Sequence, residues 1–214
     1  MKTENAQLEV REELVNSITH GIGILFGLVF IPVLIYNATN HAKTDVVAGA
    51  AVYGLSFLMV FTFSTLYHGL QAERVKRTFK ILDHISIYFL IAGTYTPLIL
   101  IYQQNTFGTT LLVVLWSLTL LGTLFKTFFC GRWELLSTII YLLMGWSMLA
   151  GGNSFFAAMP ANVLTMVVTG GVLYSAGVIF YLWEKYTYSH AVWHIFVLAA
   201  AICHYVAILL SVDN

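Results

Sequence analysis

The chain has 214 residues, of which 59% are hydrophobic and 9% charged, with a formal net charge of zero. Soluble domains carry about 45–50% apolar and about 25% charged residues, so a chain this poor in charge could not cover a water-facing surface. Zero net charge offers no bulk field to recruit nucleic acid, and that class of partner is set aside.

The first fourteen residues mix charges without an apolar run. No cleavable signal peptide is expected there, and residues 1–14 read as a cytoplasmic segment ahead of a transmembrane domain over 15–211. Within that segment, the stretch from Asn5 to Val15 carries Leu8, Val10, Leu14 and Val15. This is compatible with a short helix on the membrane surface, although its apolar face is weak.

A bilayer core needs about 20 apolar residues per helix. Seven stretches qualify, at roughly 15–37, 45–70, 79–102, 108–130, 133–151, 161–183 and 189–211. The expected fold is therefore an all-α polytopic membrane protein of seven transmembrane helices, with the short connections making consecutive helices antiparallel neighbours.

Span 1 opens with Glu13, Asn16 and His20, three and four residues apart. Two readings stand side by side: hydrogen-bond partners that orient a ligand, or a helix start held by an interfacial acid and amide. Gly21, Gly23 and Gly27 would let a neighbouring helix approach closely. Span 2 ends on Ser64 and His68, four apart on one face. Span 3 begins with Asp83 and His84, and Pro97 in Gly93-Thr94-Tyr95-Thr96-Pro97 predicts a kink.

Span 4 ends at Cys130, which with Cys203 reads as a small apolar residue. Span 5 is shortened by Gly145, Gly151 and Gly152, and Gly151-Gly152-Asn153-Ser154 predicts the turn into span 6. Span 7 opens with His190 and His194, four apart, and carries His204 in its other half, read as a satisfied buried histidine. Trp133 and Trp183 fit interfacial belts.

With seven spans, Lys2, Arg11, Arg74, Lys76, Arg77, Lys80, Lys126, Arg132 and Lys185 share one side, and Lys43 alone takes the other. Positive residues favour the cytoplasm, so the N-terminus is expected inside and the C-terminus outside. Helical rather than stranded spans favour an inner (plasma) membrane over an outer membrane.

This topology brings polar groups from four helices to one depth near the cytoplasmic face. Ionisable groups inside a span are costly and commonly functional. The spacing of His190 and His194 is the one by which a helix offers two imidazoles to one metal ion. His68 would add a third nitrogen, and three protein ligands with one open position describe a catalytic Zn²⁺ site. Imidazole also suits copper, iron and nickel. Asp83 could hold or deprotonate a water activated by the ion, with Ser64 aimed at the same space. Each piece has a plainer reading. Polar side chains at a boundary can snorkel to water. Asp83 beside His84 could be a cap or a partner of Arg77 or Lys80. A serine in a helix often bonds to its own backbone.

The chain resembles the bacterial hemolysin III family, the prokaryotic branch of the progestin and adipoQ receptor group. The carriers are the run from Glu13 through Asn16 and His20 to Gly21, Ser64-Thr65-Leu66-Tyr67-His68, Leu82-Asp83-His84, Ala92-Gly93-Thr94-Tyr95-Thr96-Pro97 and His190-Ala191-Val192-Trp193-His194. The resemblance implies seven helices with the N-terminus inside. It implies zinc on His68, His190 and His194, with Asp83 engaging the water on the metal and Ser64 beside it. Glu13, Asn16, His20 and His84 would support these groups. It also implies lipid-amide hydrolysis like that of the related alkaline ceramidases. The expected function is a zinc-dependent hydrolase of membrane lipid amides or esters. The alternatives are a pore-forming or membrane-perturbing cytolysin, and a receptor-like regulator with a structural zinc.

Overall fold

The computed structural model describes residues 2–41, 43–183 and 186–213, with the side chains of all of these but 2–6, 153 and 154. Lys185 and Asn214, used above for the loop charges and the C-terminus, lie outside the described residues, as do the side chains of Lys2, Asn5, Asn153 and Ser154.

Among the described residues the chain is all-α. The helices are α1 (Lys2–His41), α2 (Thr44–Gly69), α3 (Glu73–Tyr102), α4 (Thr106–Phe129), α5 (Glu134–Gly145), α6 (Gly152–Ala157), α7 (Ala161–Leu182) and α8 (Ser189–Val212), with a 3₁₀ turn at Ser147–Gly151. Six of them (α1 to α4, α7 and α8) are long and apolar enough to cross a bilayer, and α5 is shorter. Large apolar side chains such as Leu25, Leu28, Leu120, Leu124 and Ile179 are more than half exposed. Water would not tolerate so much continuous apolar surface, whereas lipid matches it. The protein is a multi-pass integral membrane protein in contact with the bilayer.

Two expectations are corrected. The stretch from Asn5 to Val15 is not a separate surface helix, because α1 runs unbroken for 40 residues. Neither proline nor glycine occurs before Gly21, so nothing in the backbone interrupts it. Its first turns are also tied to the bundle, since Tyr188 N–H donates to Glu12 Oε1 at 2.9 Å. The second correction concerns Gly151-Gly152-Asn153-Ser154. Gly152 takes φ +57° and ends the 3₁₀ turn, but α6 starts on it. The non-helical residues before α7 are Ala158, Met159 and Pro160.

Tyr95 explains how an apolar helix can break at this point. Its hydroxyl donates to Gly145 O at 2.8 Å and accepts from Met148 N–H at 3.0 Å. A broken helix inside a membrane needs its freed backbone groups satisfied by protein, and one phenol serves both sides of the break.

The helices follow one another round a ring, with α8 also touching α2 and α3. Going round it, α1 packs on α2, α2 on α3, α3 on α5, α5 on α7, α7 on α8 and α8 on α1, while α4 packs on α3 from outside. Close approach within the α1–α2 pair depends on glycine, with Gly23 against the Phe61 ring and Gly54 against Ile31. A Cβ at either position would displace a neighbour, as small-residue packing between membrane helices requires. Away from the histidines the ring is tied by Tyr53 OH donating to Ala201 O (3.1 Å) and Tyr205 OH donating to Phe30 O (2.8 Å).

Candidate metal centre

A cavity of about 540 Å³ lies inside the ring. α3 lines it with Asp83, His84, Ile87, Leu90, Ile91 and Thr94, and α7 with Gly171, Tyr174, Ser175, Val178 and Tyr181. Both sets follow the three-and-four spacing of a single helix face. α8 contributes His190, Trp193, His194, Val197 and His204.

At one end, three histidines meet. His68 closes α2, and His190 and His194 occupy the first two turns of α8. One ring nitrogen from each lies within 4.8 Å of the other two, so the trio could hold a metal ion. The rings of His190 and His194 are 4.6 Å apart, and His68 is 5.2 and 5.0 Å from them.

The neighbours set which nitrogen is presented. His68 Nδ1 lies 2.8 Å from Glu13 Oε2. A carboxylate accepts only, so Nδ1 carries the hydrogen and Nε2 keeps a lone pair. That Nε2 is buried without a hydrogen-bond partner. His194 Nδ1 lies 3.3 Å from the Asn16 carbonyl, which again accepts only. Its Nε2 is likewise left with a lone pair. An unpartnered buried nitrogen is costly unless something occupies it, and a cation held by three imidazoles is what this donor set fits.

The remaining residues singled out in the sequence are placed as follows. Glu13 bridges His68 and Lys76, the latter at 2.8 Å. Asn16 serves through its backbone carbonyl, and its side-chain Oδ1 is buried without a partner. His20 stacks on His194, with centroids 3.7 Å apart and rings 19° from parallel. It thus packs against His194 rather than bonding to it, and both of its own ring nitrogens are buried without a partner. Ser64 is fully buried one turn before His68, and its Oγ has no hydrogen bond of good geometry, although the Asp83 carboxyl stands beside it. Asp83 lines the cavity with a side chain 14% exposed.

His84, whose Nδ1 is 3.7 Å from Asp83 Oδ2, also enters a second network. Its Nδ1 donates to Lys80 O at 2.7 Å, and its Nε2 lies 3.7 Å from Glu134 Oε2. Lys126, fully buried, donates to the same Glu134 oxygen at 2.6 Å. Gly131 N–H donates to Glu134 Oε1 at 3.0 Å. The turn that folds Glu134 back on Lys126 uses positive φ at Gly131 and Trp133. Sequence reasoning had placed Lys126 only among the loop charges. The available signal was an acid eight residues on, across a Gly-containing turn that reverses the chain. Such a pair is needed because a buried ammonium must be matched by a nearby carboxylate.

Residues 8–205 match the family described as haemolysin-III related. The chain belongs to that family. It is 40% identical over 203 residues to hemolysin-3 of Bacillus cereus, covering 95% of this chain and 93% of that protein. It is 41% identical over 200 residues to a hemolysin-3 homolog of Bacillus subtilis, covering 94% of each. Similarity extends to the monocyte to macrophage differentiation factor of Homo sapiens, at 26% over 215 residues, 92% of this chain and 83% of that one. The match takes in every residue of the histidine cluster and its supports.

Glu13 provides a first test of the centre. Glu13→Gln keeps a hydrogen-bonding group beside His68 but removes the charge that fixes its Nδ1–H. Metal affinity is expected to fall about 10–100-fold, the usual cost of losing such a support. Competition titration against a fluorescent chelator would read this, and an unchanged affinity would show that His68 is oriented by packing alone.

Proposed function

We propose that this haemolysin-III family member is a zinc-dependent hydrolase of lipid amides or esters. It would sit in the bacterial inner membrane on seven helices, with its N-terminus cytoplasmic and its C-terminus external. The lysine and arginine bias supports that orientation. Support for the seventh crossing comes from α5, the 3₁₀ turn and α6, which together occupy residues 134–157.

The observation that carries the reading is the trio His68, His190 and His194, with one ring nitrogen of each within 4.8 Å of the other two and His68 Nε2 buried and unpartnered, on a cavity with apolar walls. His68, His190 and His194 would hold the ion. Zinc in such a place supplies Lewis acidity toward a carbonyl oxygen and acidifies water. Asp83, on the cavity wall, accepts the proton of the attacking water and passes it to the leaving nitrogen or oxygen. The acyl C–N or C–O bond breaks, giving a carboxylic acid and an amine or alcohol. Ser64 steadies the oxyanion or the water. Ile87, Leu90, Ile91 and Val178 flank the acyl chain.

The test is fatty-acid release. Detergent-purified protein is incubated with N-acyl and O-acyl lipids, and free fatty acid is followed by mass spectrometry. Release is expected with zinc present, lost on chelation and restored by zinc. If zinc raises the melting temperature yet no acyl lipid in a bacterial extract is consumed, the metal is structural and the hydrolase reading is wrong.

A further inference from the structure

The cavity does not end where its chemistry ends. It continues along α8 to His204, ten residues beyond His194, which is roughly 15 Å at a helical rise of 1.5 Å per residue. An ionisable ring deep in a membrane bundle, on a cavity wall, calls for a function.

Two groups there lack partners. His204 Nε2 lies 3.2 Å from the Val167 carbonyl. A carbonyl accepts only, so Nε2 carries the hydrogen and Nδ1 keeps a lone pair. No described residue hydrogen-bonds to that Nδ1. The satisfied histidine expected from the sequence has its hydrogen bond through Nε2. On α7, Tyr174 also lines the cavity, 5.5 Å from His204 between ring centroids. Its hydroxyl is buried with no hydrogen-bond partner. The nearby Ser175 and Trp146 are occupied with each other, Trp146 Nε1–H donating to Ser175 Oγ at 2.9 Å.

The ring is also deliberately accommodated. A Cβ on Gly170 would collide with the His204 imidazole, so the α7 backbone is notched to receive it. Packing alone would be met by leucine, whereas the cavity here carries the buried, unpartnered Tyr174 hydroxyl beside the ring.

An acceptor on α8 and a donor on the adjoining α7, with ring centroids 5.5 Å apart, are the complement of an alcohol. We infer that the far end of the cavity is a recognition site for a hydroxyl group carried well along an acyl chain, its O–H donating to His204 Nδ1 and its oxygen accepting from Tyr174 OH. Extended backbone advances about 3.3–3.6 Å over three bonds, roughly 1.2 Å per bond, so the hydroxyl belongs about a dozen bonds from the carbonyl. The inference rests on the acyl-binding reading of the cavity.

The experiment measures binding of three fatty acids to zinc-loaded protein in detergent: octadecanoic acid, 3-hydroxyoctadecanoic acid and 12-hydroxyoctadecanoic acid. Wild type is expected to bind the 12-hydroxy acid about fivefold more tightly than the other two, in line with one or two net hydrogen bonds. That preference is expected to vanish in His204→Phe and to shrink in Tyr174→Phe, with octadecanoic acid affinity kept. Equal binding of all three acids by wild type would overturn the site while leaving the acyl cavity standing. So would a preference that survives both substitutions. Failure of wild type to bind any of them would remove the acyl reading and this inference with it. Should a variant not fold, the wild-type comparison of the 12-hydroxy and 3-hydroxy acids decides alone.

Discussion

Replacing His190 and His194 together by alanine is expected to take the metal content of the purified protein from about one zinc per chain to below a tenth. His68 alone would remain of the three imidazoles, and zinc sites in proteins need three or four protein ligands. The apparent binding free energy of small structural zinc sites is on the order of 10–16 kcal/mol, so losing two of three ligands weakens binding by at least about a thousandfold. The substitution removes side-chain contacts only, chief among them the His194 bond to the Asn16 carbonyl. It does empty the space beside His20, whose ring is stacked on His194. Helical content by circular dichroism and a single gel-filtration peak would show that metal loss is not unfolding. Elemental analysis of both proteins after zinc loading is decisive. Wild type without metal, or a double variant that keeps it, would mean the histidines serve packing.

The long apolar runs were legible because a bilayer imposes a length that a sequence can be measured against. α2, α4, α7 and α8 begin and end within two residues of the apolar runs, whereas α3 begins six residues earlier, at Glu73. The two failures share a cause. The first turns of α1 are held to the bundle by Glu12 and Glu13, which reach Tyr188 and His68 more than fifty residues away. The break after Gly145 depends on Tyr95 of another helix holding both sides of the gap. Neither contact leaves a local trace in the chain, where Gly151 and Gly152 were the more visible punctuation.

The candidate site was legible for the same reason that its supporting network was not. Helical spacing puts His190 over His194, and Ser64 over His68, while counting spans brings them to one depth. Which nitrogen of each ring faces the centre required Glu13 and the Asn16 carbonyl in three dimensions. His20, for which both a supporting role and a plain helix start were open, stacks on His194. His84 shares the depth of the histidines but turns toward Glu134 and Lys126. Depth is a single coordinate, and direction around the helix ring is a second that numbering does not supply.

Asp83→Asn should separate holding the metal from using it. Asparagine keeps the shape of the side chain on the cavity wall and cannot accept a proton. The three imidazoles and the Glu13 support do not include Asp83, so zinc content is expected to stay near one per chain. Turnover of an acyl lipid is expected to fall about 10²–10⁴-fold, the range for loss of a positioned general base. The loss should appear in kcat, with KM little changed, because substrate affinity resides in the apolar wall rather than in the carboxylate. Fatty-acid release under saturating lipid, alongside metal analysis of the same sample, reads both quantities. If zinc is lost as well, Asp83 belongs to the ligand set and the proton must go elsewhere, with His84 and Glu134 the nearest alternative route. If zinc stays and release is undiminished, Asp83 has no part in proton transfer, and the water must lose its proton to another group.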